Sequence, residues 1–213
     1  MTSPGSSQVS GDAEPEPRVE LELHADLELR AELRLTPGIT VLTGGQTGVD
    51  TLAARAALAA GLTVHMVFPH GFRQEDGPLT PERRAELHGA VLHQLGSAGF
   101  AQRTWTCVSL ADAVILLDPA GGEGCRETIR AASHLERPLL DLTAWLLPSG
   151  ADRSGSAGAA AAAVLSFLSS NKAQVLMFAG CRGTLLADQA DAVRDLLENV
   201  TAALAGRQDE RPG

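Results

Sequence analysis

Three stretches carry residues whose chemistry could serve a ligand: TGGQTGVD at 43–50, HGFRQEDG at 70–77 and PAGGEGCRET at 119–128. In the first, Gly44 and Gly45 end an apolar run and let backbone N–H groups approach a ligand closely. Gln46, Thr47 and Gly48 complete the turn, and the helix that follows adds partial positive charge at its N-terminus. Together these parts suit an anion. The pattern from Thr47 to Asp50 also matches a capping box, in which Asp50 only bonds the backbone. In the second stretch, Arg73 can grip a phosphate or carboxylate as a planar fork. Glu75 and Asp76 can hold a hydroxyl or a metal, or act as a general base, and Gly77 closes the loop. The competing reading is a solvated charged loop with internal ion pairs. In the third, Gly121, Gly122 and Gly124 repeat the strand–glycine–helix logic. Cys125 there is either an activated thiol at a helix start or a small residue packed beneath the loop.

These groups need a frame that brings them together. GITVLT, TVHMVF, DAVILLD, RPLLDL and AQVLMFAG read as buried strands, with helical patterns between them. Alternating strands and helices imply right-handed crossovers and a doubly wound, mainly parallel sheet in a Rossmann-like three-layer sandwich. Such sheets bind ligands at the carboxyl ends of their strands. The three stretches fall there, and GCRGT at 180–184 follows the last strand. Leu186, Ala190, Val193, Leu197, Val200 and Leu204 form one stripe on a final helix. Upstream, Val19 to Leu35 is apolar at every second position, which predicts an extra N-terminal strand or hairpin, although its Leu, Glu, Ala and Arg favour helix. The expected division is a disordered tail at 1–17, a β extension at 18–36, a ligand-binding domain at 37–206 and a tail at 207–213.

Composition bounds the partners. The 213 residues carry a net charge of −9 and no basic run. That speaks against a duplex nucleic-acid partner, which needs clustered Lys or Arg. No apolar run approaches the ~20 residues that span a bilayer, and no secretory signal is legible. The expectation is a cytoplasmic protein without a membrane partner. Three cysteines at wide spacing argue against a disulfide framework. The six histidines are scattered without metal-ligand spacing, so no metal site is expected.

GGQTGVD at 44–50, the 69–77 loop, Arg103-Thr104, Ala111-Asp112, Gly121-Gly122 and AGCR at 179–182 occur in one order. This order resembles the bacterial-type molybdenum cofactor carrier family, within the Rossmann-like group that includes DprA and the "lysine decarboxylase-like" LOG proteins. The resemblance covers residues 39–205. It implies a homo-oligomer that binds a small phosphorylated, nucleotide- or pterin-like ligand, with molybdopterin as the carried candidate. Gly44, Gly45, Gln46, Thr47, Gly48 and Asp50 would form one ligand loop, and Arg73, Glu75, Asp76 and Gly77 a second. The alternative is a LOG-like phosphoribohydrolase cleaving a nucleotide N-glycosidic bond, with Glu75, Asp76 or Glu127 as the acid. Against the LOG pattern PGGxGTxxE, Cys125 stands in place of Thr and Thr128 in place of Glu. Glu127 lies one position away.

Overall fold

A computed structural model describes residues 23–35, 37–96, 99–146, 153–186 and 189–209. The tail expected at 1–17 lies outside the described residues, as do residues 210–213 of the tail expected at 207–213, whose first three residues instead continue the last helix. Six parallel strands form the main sheet in the order β5-β2-β1-β8-β6-β7. They are β1 (Thr40–Thr43), β2 (Thr63–Phe68), β5 (Val91–Gln94), β6 (Ala113–Leu117), β7 (Leu139–Asp141) and β8 (Val175–Gly180). A small antiparallel hairpin, β3 (Arg73–Gln74) with β4 (Gly77–Pro78), stands apart from the sheet.

The strand order explains where the helices go. From β1 the chain winds outward through β2 to β5, then crosses to β6 and winds the other way to β7. Finally it returns to lay β8 between β1 and β6. Right-handed crossovers in opposite directions must put their helices on opposite faces. Accordingly α2 (Val49–Ala59), α6 (Arg153–Asn171) and α8 (Ala190–Asp209) pack together on one face. On the other lie α1 (Leu23–Leu35), α4 (Phe100–Leu110) and α5 (Glu123–His134). Short helices α3 (Pro81–Glu86) and α7 (Gly183–Leu186) sit in the connections. β1, β6 and nearly all of β8 are buried, as strands covered on both faces must be. The stripe on α8 is as expected: Val193, Leu197, Val200 and Leu204 are fully buried.

Three expectations change. The N-terminal strand or hairpin is instead α1, an α-helix over Leu23–Leu35. Intrinsic propensity prevailed over the period-two pattern, because Leu, Glu, Ala and Arg lose little rotamer freedom in a helix. Of the α1 side chains described, those of residues 28–35, Leu29 and Leu33, one turn apart, are buried, while Leu35 is 79% exposed. A strand burying one face would bury Leu33 and Leu35 alike. Arg30 donates to the Ser109 carbonyl, and Arg34 pairs with Asp112, fixing α1 against the end of α4. Second, the stripe expected on one final helix is divided, with Leu186 on α7 and the rest on α8. Third, the edge strand β5 has no counterpart among the expected strands. Among the described residues its short, half-polar VLHQ pairs with β2 alone.

Candidate functional site

The loops after β1, β6 and β8 meet at the carboxyl ends of three adjacent strands and enclose a cavity of about 320 Å³. The first turns of α4 and α5 and the β3–β4 turn complete the wall.

The β1–α2 loop is shaped from behind. Gly48 has φ 82° and ψ −133°, a conformation open almost only to glycine. A Cβ on it would meet the Cys181 carbonyl oxygen and the Gly183 nitrogen, each at 2.5 Å. The loops after β1 and β8 therefore touch backbone to backbone, and Val49 N–H donates to that carbonyl at 3.2 Å. Thr47 caps nothing in α2. Its hydroxyl donates to Glu75 Oε1 and accepts from Gly183 N–H, tying three loops at one oxygen. Asp50 does bond the backbone, but it accepts from Gln46 N–H at 3.1 Å and not from the Thr47 N–H that a capping box would use. Gln46 Oε1 in turn accepts from Glu75 N–H at 2.9 Å.

Asp50 faces Arg103 from α4, at 3.5 Å, and both side chains are buried. Burial pushes the Asp50 carboxyl up to about 6, although Arg103 and the Gln46 amide pull it down. Arg103 Nε and Glu75 Oε2 are buried atoms without a hydrogen-bond partner among the described residues. Orphaned polar atoms of this kind cost roughly 1–3 kcal/mol each.

Across the cavity, α5 starts at Gly122 with no side chain capping it. Gly122 N–H bonds Asp118 Oδ1 at 3.0 Å, which sets the turn. The first-turn amides beyond have no intrahelical acceptor and carry the positive end of the helix dipole. Arg182, exposed, lines the same cavity from the loop after β8. Glu127 also lines it, with Trp105 Nε1 donating at 2.5 Å and Arg130 paired at 2.8 Å. Thr128 lines it as well, its hydroxyl donating to the Gly124 carbonyl. Cys125 is a packed thiol: burial pushes it far up, and the hydrogen bond with Asp118 pushes it further.

The expected residues thus divide by position. Gln46, Asp50, Glu75, Gly122, Gly124 and Glu127 line the cavity. Gly44, Gly45, Thr47 and Gly48 support it without lining it. Gly45 lies under the Phe68 ring and its carbonyl accepts from Gln74 Nε2. Arg73, Asp76, Gly77 and Gly121 are not in the lining. Arg73 is exposed and its guanidinium sits 5.6 Å from the ring centre of Phe100, a lining residue. Asp76 is held by both Arg83 nitrogens at 2.8 and 2.6 Å, and that bond keeps its carboxyl below the usual range. For Asp76 the ion-pair reading fits, with the partner Arg83 standing on α3 and not within the loop.

Arg103, Arg182, Phe100 and Leu185 were missed as lining residues. Arg103 had a signal, since it is the sole charge in the otherwise uncharged FAQRTWTCVSL helix. Phe100 and Leu185 had none, because single apolar residues mark core as readily as pocket.

A doubly wound sheet with a cavity where its central strands end defines a Rossmann-like α/β domain. The chain belongs to the circularly permutated YpsA SLOG family, whose model matches residues 41–201. Among solved structures, the chain is similar to the crystal structure of "Putative molybdenum carrier protein" from Syntrophus aciditrophicus SB. The two are 24% identical with a TM-score of 0.62, and the match covers 76% of this chain and 94% of that one. At that identity the likeness bears on the fold. No curated protein matches the chain significantly. Among the described residues no helix is long and apolar enough to cross a membrane.

Proposed function

We propose that the chain binds a small phosphorylated, nucleotide- or pterin-like molecule in this cavity, as a carrier or sensor. The observation that carries the reading is the polarity of the two walls. On one side, the uncapped start of α5 and the Arg182 guanidinium offer positive charge and N–H donors, which suit a phosphate. On the other, Asp50, Glu75 and Gln46 offer acceptors for ribose hydroxyls or ring N–H groups. Phe100, Met177 and Leu185 supply apolar surface between them. The unpartnered Arg103 Nε and Glu75 Oε2 gain partners when these side chains turn toward a bound molecule.

The molybdenum cofactor, a phosphorylated pterin, has both halves of this chemistry, and the solved structural neighbour carries a molybdenum-carrier name. It is the first candidate for the cargo. Residues 37–206 form the binding unit in this reading, with α1 as an added helix. Titrating the purified protein with nucleoside monophosphates and with isolated molybdenum cofactor tests the proposal. Saturable binding that weakens in Arg182→Ala supports it, and no binding by any of them sinks it.

One observation favours a second reading, N-glycosidic hydrolysis of a nucleotide. A carboxyl at about 6, Asp50, stands in the cavity near Glu75, and an acid near neutrality is what general acid–base catalysis needs. Free base appearing in a nucleotide panel, and lost in Glu75→Gln with binding retained, would select this reading over the carrier.

A further inference from the structure

Away from the cavity, the fold joins three side chains that are far apart in sequence. His65 on β2 and His93 on the edge strand β5 lie on the same face of the sheet. In the parallel register Val67 stands opposite His93, and Val67 and His65 share a face by the two-residue period. Their rings stack with centroids 5.1 Å apart and planes 7° off parallel. His65 Nδ1 and His93 Nε2 approach to 2.8 Å. Glu32 reaches them from α1, and one ligand atom from each of the three residues lies within 4.8 Å of the others. None of the three lines the cavity.

We propose that Glu32, His65 and His93 form a binding site for a divalent transition metal, zinc in the first instance, that fastens α1 to the sheet edge. Two imidazole nitrogens and one carboxylate are a donor set for zinc and its neighbours in the first transition row. They do not suit calcium or magnesium, which take shells of oxygen. At Zn–N distances near 2.0–2.1 Å, two nitrogens on a tetrahedral ion stand roughly 3.3 Å apart. The histidine pair therefore opens by about half an ångström. The proton shared between them moves to an outer ring nitrogen, so both rings stay neutral and no net proton is released from the pair. Glu32 is exposed and His93 half-buried, which leaves the remaining position to water. Three elements that only the tertiary fold unites would then be held at one point. Since metal binds the assembled set and not the unfolded chain, it stabilises the docking of α1.

The test is zinc titration of the full chain after treatment with a chelator, followed by calorimetry and thermal melting. His93→Gln and Glu32→Gln are the informative variants, because both positions are partly or wholly exposed and neither removes core volume. The expected result is one zinc per chain, no uptake of magnesium, and a melting point raised by zinc in the parent. In each variant affinity falls by at least about tenfold and the melting shift shrinks. A parent chain that takes up no zinc overturns the site. So does uptake that both variants retain unchanged, which would place the metal on other groups such as the cysteines.

Discussion

The guanidinium of Arg103 occupies the space that a side chain on Gly44 would fill. A Cβ there would stand 1.3 Å from Nη1 and 2.9 Å from Asp50 Oδ2. The glycine at the end of β1 is thus required by an arginine 59 positions later, and the pair sets the charge at the base of the cavity. Gly44→Ala should push the flexible guanidinium out of place and leave the backbone fold intact. Loss of one charged hydrogen bond is worth about 1.5–3 kcal/mol, so ligand affinity should drop roughly 10- to 100-fold. Titration of the variant beside Arg103→Met checks this. The two should weaken binding by similar factors.

Gly48→Ala should behave differently, as a stability defect. The new methyl would meet backbone atoms of Cys181, Arg182 and Gly183 at 2.5–2.6 Å, and backbone cannot swing aside as a side chain can. The unfavourable dihedrals add about 1–3 kcal/mol. Chemical denaturation should show a loss above about 2 kcal/mol. A loss below half of that would mean the two loops separate easily.

Asp50 gives the domain a specific pH response. Its carboxyl is raised from 3.8 to about 6 in the folded chain, so between those values the native state holds a proton that the unfolded chain has released. Its contribution to stability is full below the unfolded value and is lost as pH rises through about 6. Asp50→Asn keeps the neutral form throughout. The stability difference between parent and variant should therefore change between these values and level off above them. Carboxyl titration by NMR should also show Asp50 moving higher in Arg103→Met, because the opposing positive charge is gone.

Asp76 and Glu75 are neighbours with opposite expectations. Asp76→Asn removes a surface ion pair with Arg83, which is worth at most about 1 kcal/mol and leaves the cavity untouched. Glu75→Gln alters a lining residue that also holds Thr47. Binding titrations should find the first variant near the parent and the second clearly weakened.

Much of this was legible because it is local. The apolar strands, the stripe on α8 and the three glycine turns each follow from a run of residues. Their convergence follows from the general placement of ligands in doubly wound sheets. What was hidden is non-local or turns on competing local signals. Val19 to Leu35 carried two contradictory patterns, and over Leu23–Leu35 helix propensity prevailed, with Leu29 and Leu33 packed into the core. Strand β5 is four residues long and hardly alternates, so nothing but its pairing to β2 marks it. Within HGFRQEDG, composition could not tell Glu75 from Asp76. The hairpin turns the first inward and gives the second to Arg83. His65 and His93, 28 residues apart, meet only through the β2–β5 register.

The central claim is that the cavity between the β1, β6 and β8 loops holds a phosphorylated small molecule. Native mass spectrometry of the protein as purified, followed by identification of whatever is released on denaturation, tests it most directly. The account predicts a stoichiometric adduct containing phosphorus, absent or much reduced in Arg182→Ala and Arg103→Met. A parent chain that carries no adduct, and gains none when incubated with nucleoside monophosphates or molybdenum cofactor, would contradict it.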